Sequence, residues 1–163
     1  MKKENPDLHI MLHAGKSLYA YSDNVIDAYL LGAERIGHGL NLYRFPEIME
    51  LVREGGICLE VCPISNQVLE YVEDLRGHPA TEYLKRGVPI SICSDDPAYL
   101  EHATLTDDFF SAIVCWDLGL AEIKQLCLNS ITCSGMDDLQ REELMQSWQK
   151  QWNTFLNDLE AGV

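Results

Sequence analysis

Two hydrophobic patterns alternate along the chain: short apolar runs that close on a polar residue or glycine, and longer stretches whose apolar residues recur every three or four positions. The short runs predict four β-strands, at Leu8 to Gly15 (LHIMLHAG), Glu34 to Gly39 (ERIGHG), Gly56 to Pro63 (GICLEVCP) and Val88 to Asp96 (VPISICSDD). The longer stretches predict helices. Val25, Ile26, Tyr29, Leu30 and Ala33 fall on one helical face, with Ser22 placed to cap its start. A second helix opens at Pro46, a favoured first helical position, and a third runs from Pro79 to Arg86 with Gly87 at its end. Thr106 with Asp107 and Asp108 predicts another capped start, and helical spacing continues through Ile123, Leu126 and Cys127. A last helix sets Met145, Trp148, Trp152, Phe155 and Leu159 on one stripe.

Strand alternating with helix argues for an α/β fold of parallel βα units. The strand starts lie 22 to 32 residues apart, close to the repeat of a barrel in which about 250 residues form eight such units. Four parallel strands cannot close a barrel, and they leave two strand edges and an inner face to be covered. Further strands beyond these residues, or a partner chain such as a second copy, are expected to cover them. No low-complexity linker divides the chain, so a single domain is expected over residues 1–163.

Composition narrows the function classes. The 163 residues are 47% hydrophobic and 23% charged, ordinary for a globular protein. The formal charge is −14, from 12 Lys+Arg against 26 Asp+Glu, and the longest basic run is Lys2-Lys3, which argues against a nucleic-acid surface. The apolar runs are strand-sized, so no membrane span is expected, and the polar stretch MKKENPDLHI lacks the apolar region of a signal peptide. Of six cysteines, Cys58, Cys62 and Cys93 sit inside strand-like runs, which favours buried free thiols over disulfides. With no CxxC pair, a cysteine-based zinc site is not expected.

Polar residues gather at the C-terminal end of each predicted strand: His13, His38, Asn66 just past the third, and Asp95 with Asp96. In a βα barrel these ends converge on the face that carries the active site. Singly, each has a plainer explanation, since a lone histidine in an apolar strand is commonly a hydrogen-bonded core residue and Ser-Asp-Asp-Pro can cap a short helix. Their appearance in register is what points to a site, and two histidines with two carboxylates suit a divalent metal that activates water.

The motifs HAG at 13–15, ERIGHG at 34–39, LEVCPISN at 59–66 and SDDP at 94–97, in that order and spacing, resemble the signature of the adenosine and AMP deaminase family. The stretches EVCPISNQVL and DLRGHPA and the tryptophan-bearing last helix most resemble its secreted, growth-factor-like branch. The resemblance implies the C-terminal half of a TIM (β/α)8 catalytic domain, with the fifth to eighth strands and terminal helices. It implies zinc-dependent hydrolytic deamination of adenosine or 2′-deoxyadenosine to the inosine counterpart, no nucleic-acid or membrane partner, and an extracellular location, with a cytoplasmic one as the alternative. By the same resemblance His13 and Asp95 are metal ligands, His38 orients the attacking oxygen, and Asp96 binds the purine ring.

Two departures stand against activity. The family carries glutamate three residues after the metal-binding histidine, as the general acid/base; here that position is Lys16. The family's HxH ligand pair is absent, and His9, four residues before His13, would lie roughly 13 Å from it along a strand. The remaining histidines are His78 and His102. The expectation is therefore a deaminase fragment inactive by itself, or alternatively a non-catalytic binding or oligomerisation module derived from the same barrel.

Overall fold

The structure, a computed structural model, describes residues 8–17, 22–100 and 104–162. The four predicted strands are present, each shorter than its apolar run: β1 Met11–Ala14, β2 Arg35–His38, β3 Cys58–Val61 and β4 Ile90–Ile92. All pair in parallel in the order β1-β2-β3-β4. Helices α1 Asn24–Leu30, α2 Pro46–Glu54 and α4 Ala80–Arg86 alternate with them, and α5 Leu105–Trp116 and α6 Leu120–Thr132 follow β4. A short helix, α3 Pro63–Val68, follows β3 directly.

The register explains how one sheet makes both a core and a site. Successive side chains point to opposite faces, and Leu12, Ile36, Leu59 and Ile90 share the helix side, where the last three are wholly buried. His13, Gly37, Glu60 and Ser91 stand in one row on the opposite, inner face. There Arg35 donates to Glu60 at 2.7 Å, to Ser91 at 3.1 Å and to the Cys133 carbonyl at 3.1 Å. Asn129 of α6 donates to the Ile90 carbonyl at 2.8 Å, which fixes that helix to β4.

Caps differ from expectation at two helices. The residue before α1 is Asp23 rather than Ser22, and it makes no side-chain capping bond; the Ser22 hydroxyl faces Asn24 Oδ1 at 3.4 Å, which also accepts the Gly15 N–H at 2.9 Å. Helix α5 begins at Leu105, so its cap residue is Thr104, two residues before Thr106, and Asp107 accepts the Thr104 N–H at 3.0 Å. Gly87 closes α4 with φ 74°, as its position predicts. Cys58 and Cys62 are buried and the six cysteines are free thiols.

The chain divides into two compact units, one ending at Cys133 and one starting at Ser134. The second contains α7, Asp138–Ala161, on which Trp148 and Trp152 stack with ring centres 5.4 Å apart and Phe155 follows at 5.4 Å from Trp152. Among the described residues, no helix is long and apolar enough to cross a membrane.

Candidate active site

The C-terminal ends of the strands meet because the loops that leave them are tied together. Gly15 after β1 has φ 74°, and a Cβ there would come within 2.9 Å of Gly39 and of the Asn41 side chain. Gly39 after β2 has φ 61°, and a Cβ would lie 2.8 Å from Leu59. Only glycine combines that backbone with that approach. Asn41, fully buried, donates to the Ser17 and Ser22 carbonyls, and the buried Tyr83 hydroxyl of α4 reaches the Gly39 and Leu40 carbonyls. The strand ends are thereby held in one layer.

His13, His38 and Asp95 line a single cavity of about 410 Å³, with Glu60, Cys62 and Cys93 among its walls. The rings of His13 and His38 meet edge to face, with centres 4.4 Å apart. His38 Nε2 lies 3.7 Å from Asp95 Oδ2. Both His38 and Asp95 adopt left-handed backbone, with φ 66° and 57°. Such conformations in residues other than glycine cost on the order of 1–3 kcal/mol and gather at functional sites.

Asp95 is heavily engaged. Its Oδ2 accepts from Ser65 Oγ at 2.6 Å and from Lys16 Nζ at 3.1 Å. Burial raises its carboxyl, but those two hydrogen bonds outweigh it and hold the group below the ordinary carboxylate range. His38 is pushed down to about 4, first by burial and then by electrostatic interaction with Lys16 and His13, which Asp95 only partly offsets. It is a neutral imidazole at neutral pH. Lys16 Nζ also stands 6.0 Å from the centre of the Tyr71 ring.

Asp96 does not line the cavity; it is solvent-exposed, and its carbonyl accepts from Tyr99 and Leu100 N–H. Asn66, in α3, is buried and contacts His38 rather than solvent. His9 is drawn away to Glu34 at 2.6 Å, and His102 lies outside the described residues. Two contributors are absent from the sequence reading. Ser65 holds Asp95, and its only signal is its place beside Asn66. His78 is buried behind Asn66, signalled only by its position before Pro79 at the start of α4.

The family model for adenosine deaminase matches residues 2–151. The chain belongs to the adenosine deaminase family. It is 40% identical over 151 residues to adenosine deaminase 2 of Dictyostelium discoideum, which covers 92% of this chain and 28% of that protein. The human adenosine deaminase 2 is 37% identical over 163 residues, covering 96% of this chain and 32% of that protein. The chain thus spans about a third or less of the curated relatives it matches.

Solved structures agree on the fold. An adenine deaminase from Arthrobacter aurescens superposes with a TM-score of 0.79 at 29% identity, covering 90% of this chain and 45% of that one. An amidohydrolase from Burkholderia ambifaria with bound zinc reaches 0.81 at 21% identity, over 97% of this chain and 44% of that one. The four βα units are therefore about half of a TIM-barrel hydrolase of the deaminase family.

The fit of this half to a metal is poor. Among the described residues no group of three or more His, Cys, Asp or Glu side chains is arranged to hold an ion. The carboxylate best placed to serve as a ligand, Asp95, already has the Lys16 ammonium 3.1 Å from its oxygen. Structural and catalytic zinc sites use three or four protein ligands, and these residues alone do not supply them.

Proposed function

We propose that the chain is the second half of an adenosine deaminase catalytic domain. The whole protein would hydrolyse adenosine or 2′-deoxyadenosine to inosine or 2′-deoxyinosine with release of ammonia, and the chain alone is inactive. What carries this is the meeting of His13, His38 and Asp95 in one cavity at the C-terminal ends of β1, β2 and β4. In this proposal His13 and Asp95 are the half's contribution to a zinc site, His38 faces the attacking oxygen, and Asp96 turns inward to bind the purine when the cavity is filled. The remaining ligands and strands come from the other barrel half, and a second copy of the chain is the alternative source. The resemblance to the growth-factor-like branch supports an extracellular site of action.

Lys16 supports a second reading, a non-catalytic module, because its ammonium neutralises the carboxylate a metal would need and cannot replace a carboxylic acid in position. The deciding experiment joins this chain to the first half of a relative's catalytic domain and follows adenosine conversion by ultraviolet absorbance, with zinc measured by elemental analysis. The Lys16→Glu version is expected to turn over at least about a hundredfold faster, the lower bound for a general acid/base group. Lys16→Met should raise zinc occupancy without that gain in rate. An inactive, zinc-loaded Lys16→Glu protein would favour the module, and equal rates with lysine and glutamate would reject the role assigned to position 16.

A further inference from the structure

Behind the cavity, three buried side chains form a hydrogen-bonded row whose direction is set from one end. The backbone N–H of Ala80, at the head of α4, donates to His78 Nδ1 at 3.0 Å. A backbone amide can only donate, so His78 Nδ1 carries no proton and the ring's single proton sits on Nε2. That nitrogen is 3.1 Å from Asn66 Oδ1 and donates to it. The amide nitrogen of Asn66 then faces His38 Nδ1 at 3.3 Å. Since an amide nitrogen also only donates, His38 Nδ1 accepts and its proton is left on Nε2. Turning the Asn66 amide over would set N–H against N–H at His78, leaving buried donors without acceptors in a place where His38, Asn66 and His78 are each 2% exposed or less.

We propose that Asn66 and His78 are positioning residues that lock His38 as the neutral Nε2–H tautomer, so that it meets the cavity as a hydrogen-bond donor and not as a base. Nε2 lies 3.7 Å from Asp95 Oδ2, beyond a hydrogen bond, and an oxygen or amine lone pair of a bound molecule in the cavity would receive its proton. To act as a base His38 would have to break the row, because a proton cannot be added at Nδ1 while Asn66 donates there. The catalytic meaning of that donor rests on the deaminase function proposed above. The tautomer does not, and it is measured without substrate.

The measurement is the pair of imidazole ¹⁵N signals of His38 in histidine-labelled chain, correlated to the ring carbon protons in solution, or by magic-angle spinning if the chain self-associates. The expected spectrum near neutral pH shows Nε2 protonated and Nδ1 unprotonated, with the same pattern for His78. In Asn66→Asp an acceptor replaces the donor, and protonation of His38 is expected to move to Nδ1. In His78→Leu the Asn66 amide loses its anchor, and a mixture of His38 tautomers is expected. A wild-type spectrum with Nδ1 protonated overturns the proposal whether or not either variant folds. So does a folded Asn66→Asp or His78→Leu protein with an unchanged His38 pattern. Failure of the chimeric enzyme to deaminate, with this pattern intact, would count against the function and leave the positioning row standing.

Discussion

The two faces of the four-stranded sheet are built on opposite principles. The helix side is closed by apolar packing: Ile36, Leu59 and Ile90 have no exposed surface and belong to one continuous core with Val25, Val52 and Leu126. The inner side is held by direction-specific polar contacts, in the Arg35–Glu60–Ser91 cluster and at Asp95. Burial is non-directional and scales with area, so the first face can be formed by this half alone. The second satisfies its donors and acceptors one by one and still leaves Glu60, Cys93 and Asp95 part-exposed on a cavity wall. The fold of the half and the completion of its site are therefore separable.

That contrast is broken most severely from the helix side. Leu59→Ala should lower unfolding free energy by about 2–5 kcal/mol in urea denaturation, since the cavity left behind adds to the lost transfer energy. A smaller loss would mean the core is loose.

Next in size is an acid effect at the polar end. Burial holds His78 at about 4 in the folded chain, against 6.5 for the free side chain. The unfolded form takes its proton first as pH falls, so stability should drop between about 6.5 and about 4, by up to about 1.4 kcal/mol per pH unit for this group, and level off below. His38 shifts in the same direction to about 4, so His78→Leu should remove only part of the slope in melts recorded from pH 7 to 4.

The smallest effect sharpens the comparison. Arg35→Met keeps much of the side-chain volume but leaves Glu60, part-exposed and partly solvated, without its cation. A loss of about 1–2 kcal/mol is expected, below that of Leu59→Ala. A loss as large as the core substitution would show that the inner face stabilises the half as strongly as the core does.

The strands were legible because their apolar runs face covered surfaces, yet they proved shorter at both ends. Leu8 to Ile10 continue the pattern of β1 but fall before the ladder, which opens at the Met11–Arg35 pair. Caps were displaced because a cap depends on backbone angles and a particular bond: Ser22 has the right chemistry, but its hydroxyl is directed to Asn24 Oδ1 and the chain enters the helix one residue later, at Asp23. Strand register puts His13, His38, Asn66, Asp95 and Asp96 at one end of the sheet, and of these the cavity takes His13, His38 and Asp95. The Lys16–Asp95 pair spans 79 positions and the Ser65–Asp95 bond 30, and no periodicity carries contacts between loops so far apart. Beyond its place before Pro79, His78 carries no signal in the sequence, because what gives it a role is its hydrogen bond to Asn66, twelve positions away on the buried side of α3.

The left-handed backbone at His38 and Asp95 sets stability and function against each other at the same two positions. Glycine at either would relax the local conformation, and only the side chain argues for keeping histidine or aspartate there. A selection for thermal resistance alone, applied to a library at these two codons, would drift toward glycine or asparagine, whereas one that demands the cavity's chemistry would hold both. The pair thus serves as an internal gauge of what the barrel face is being kept for.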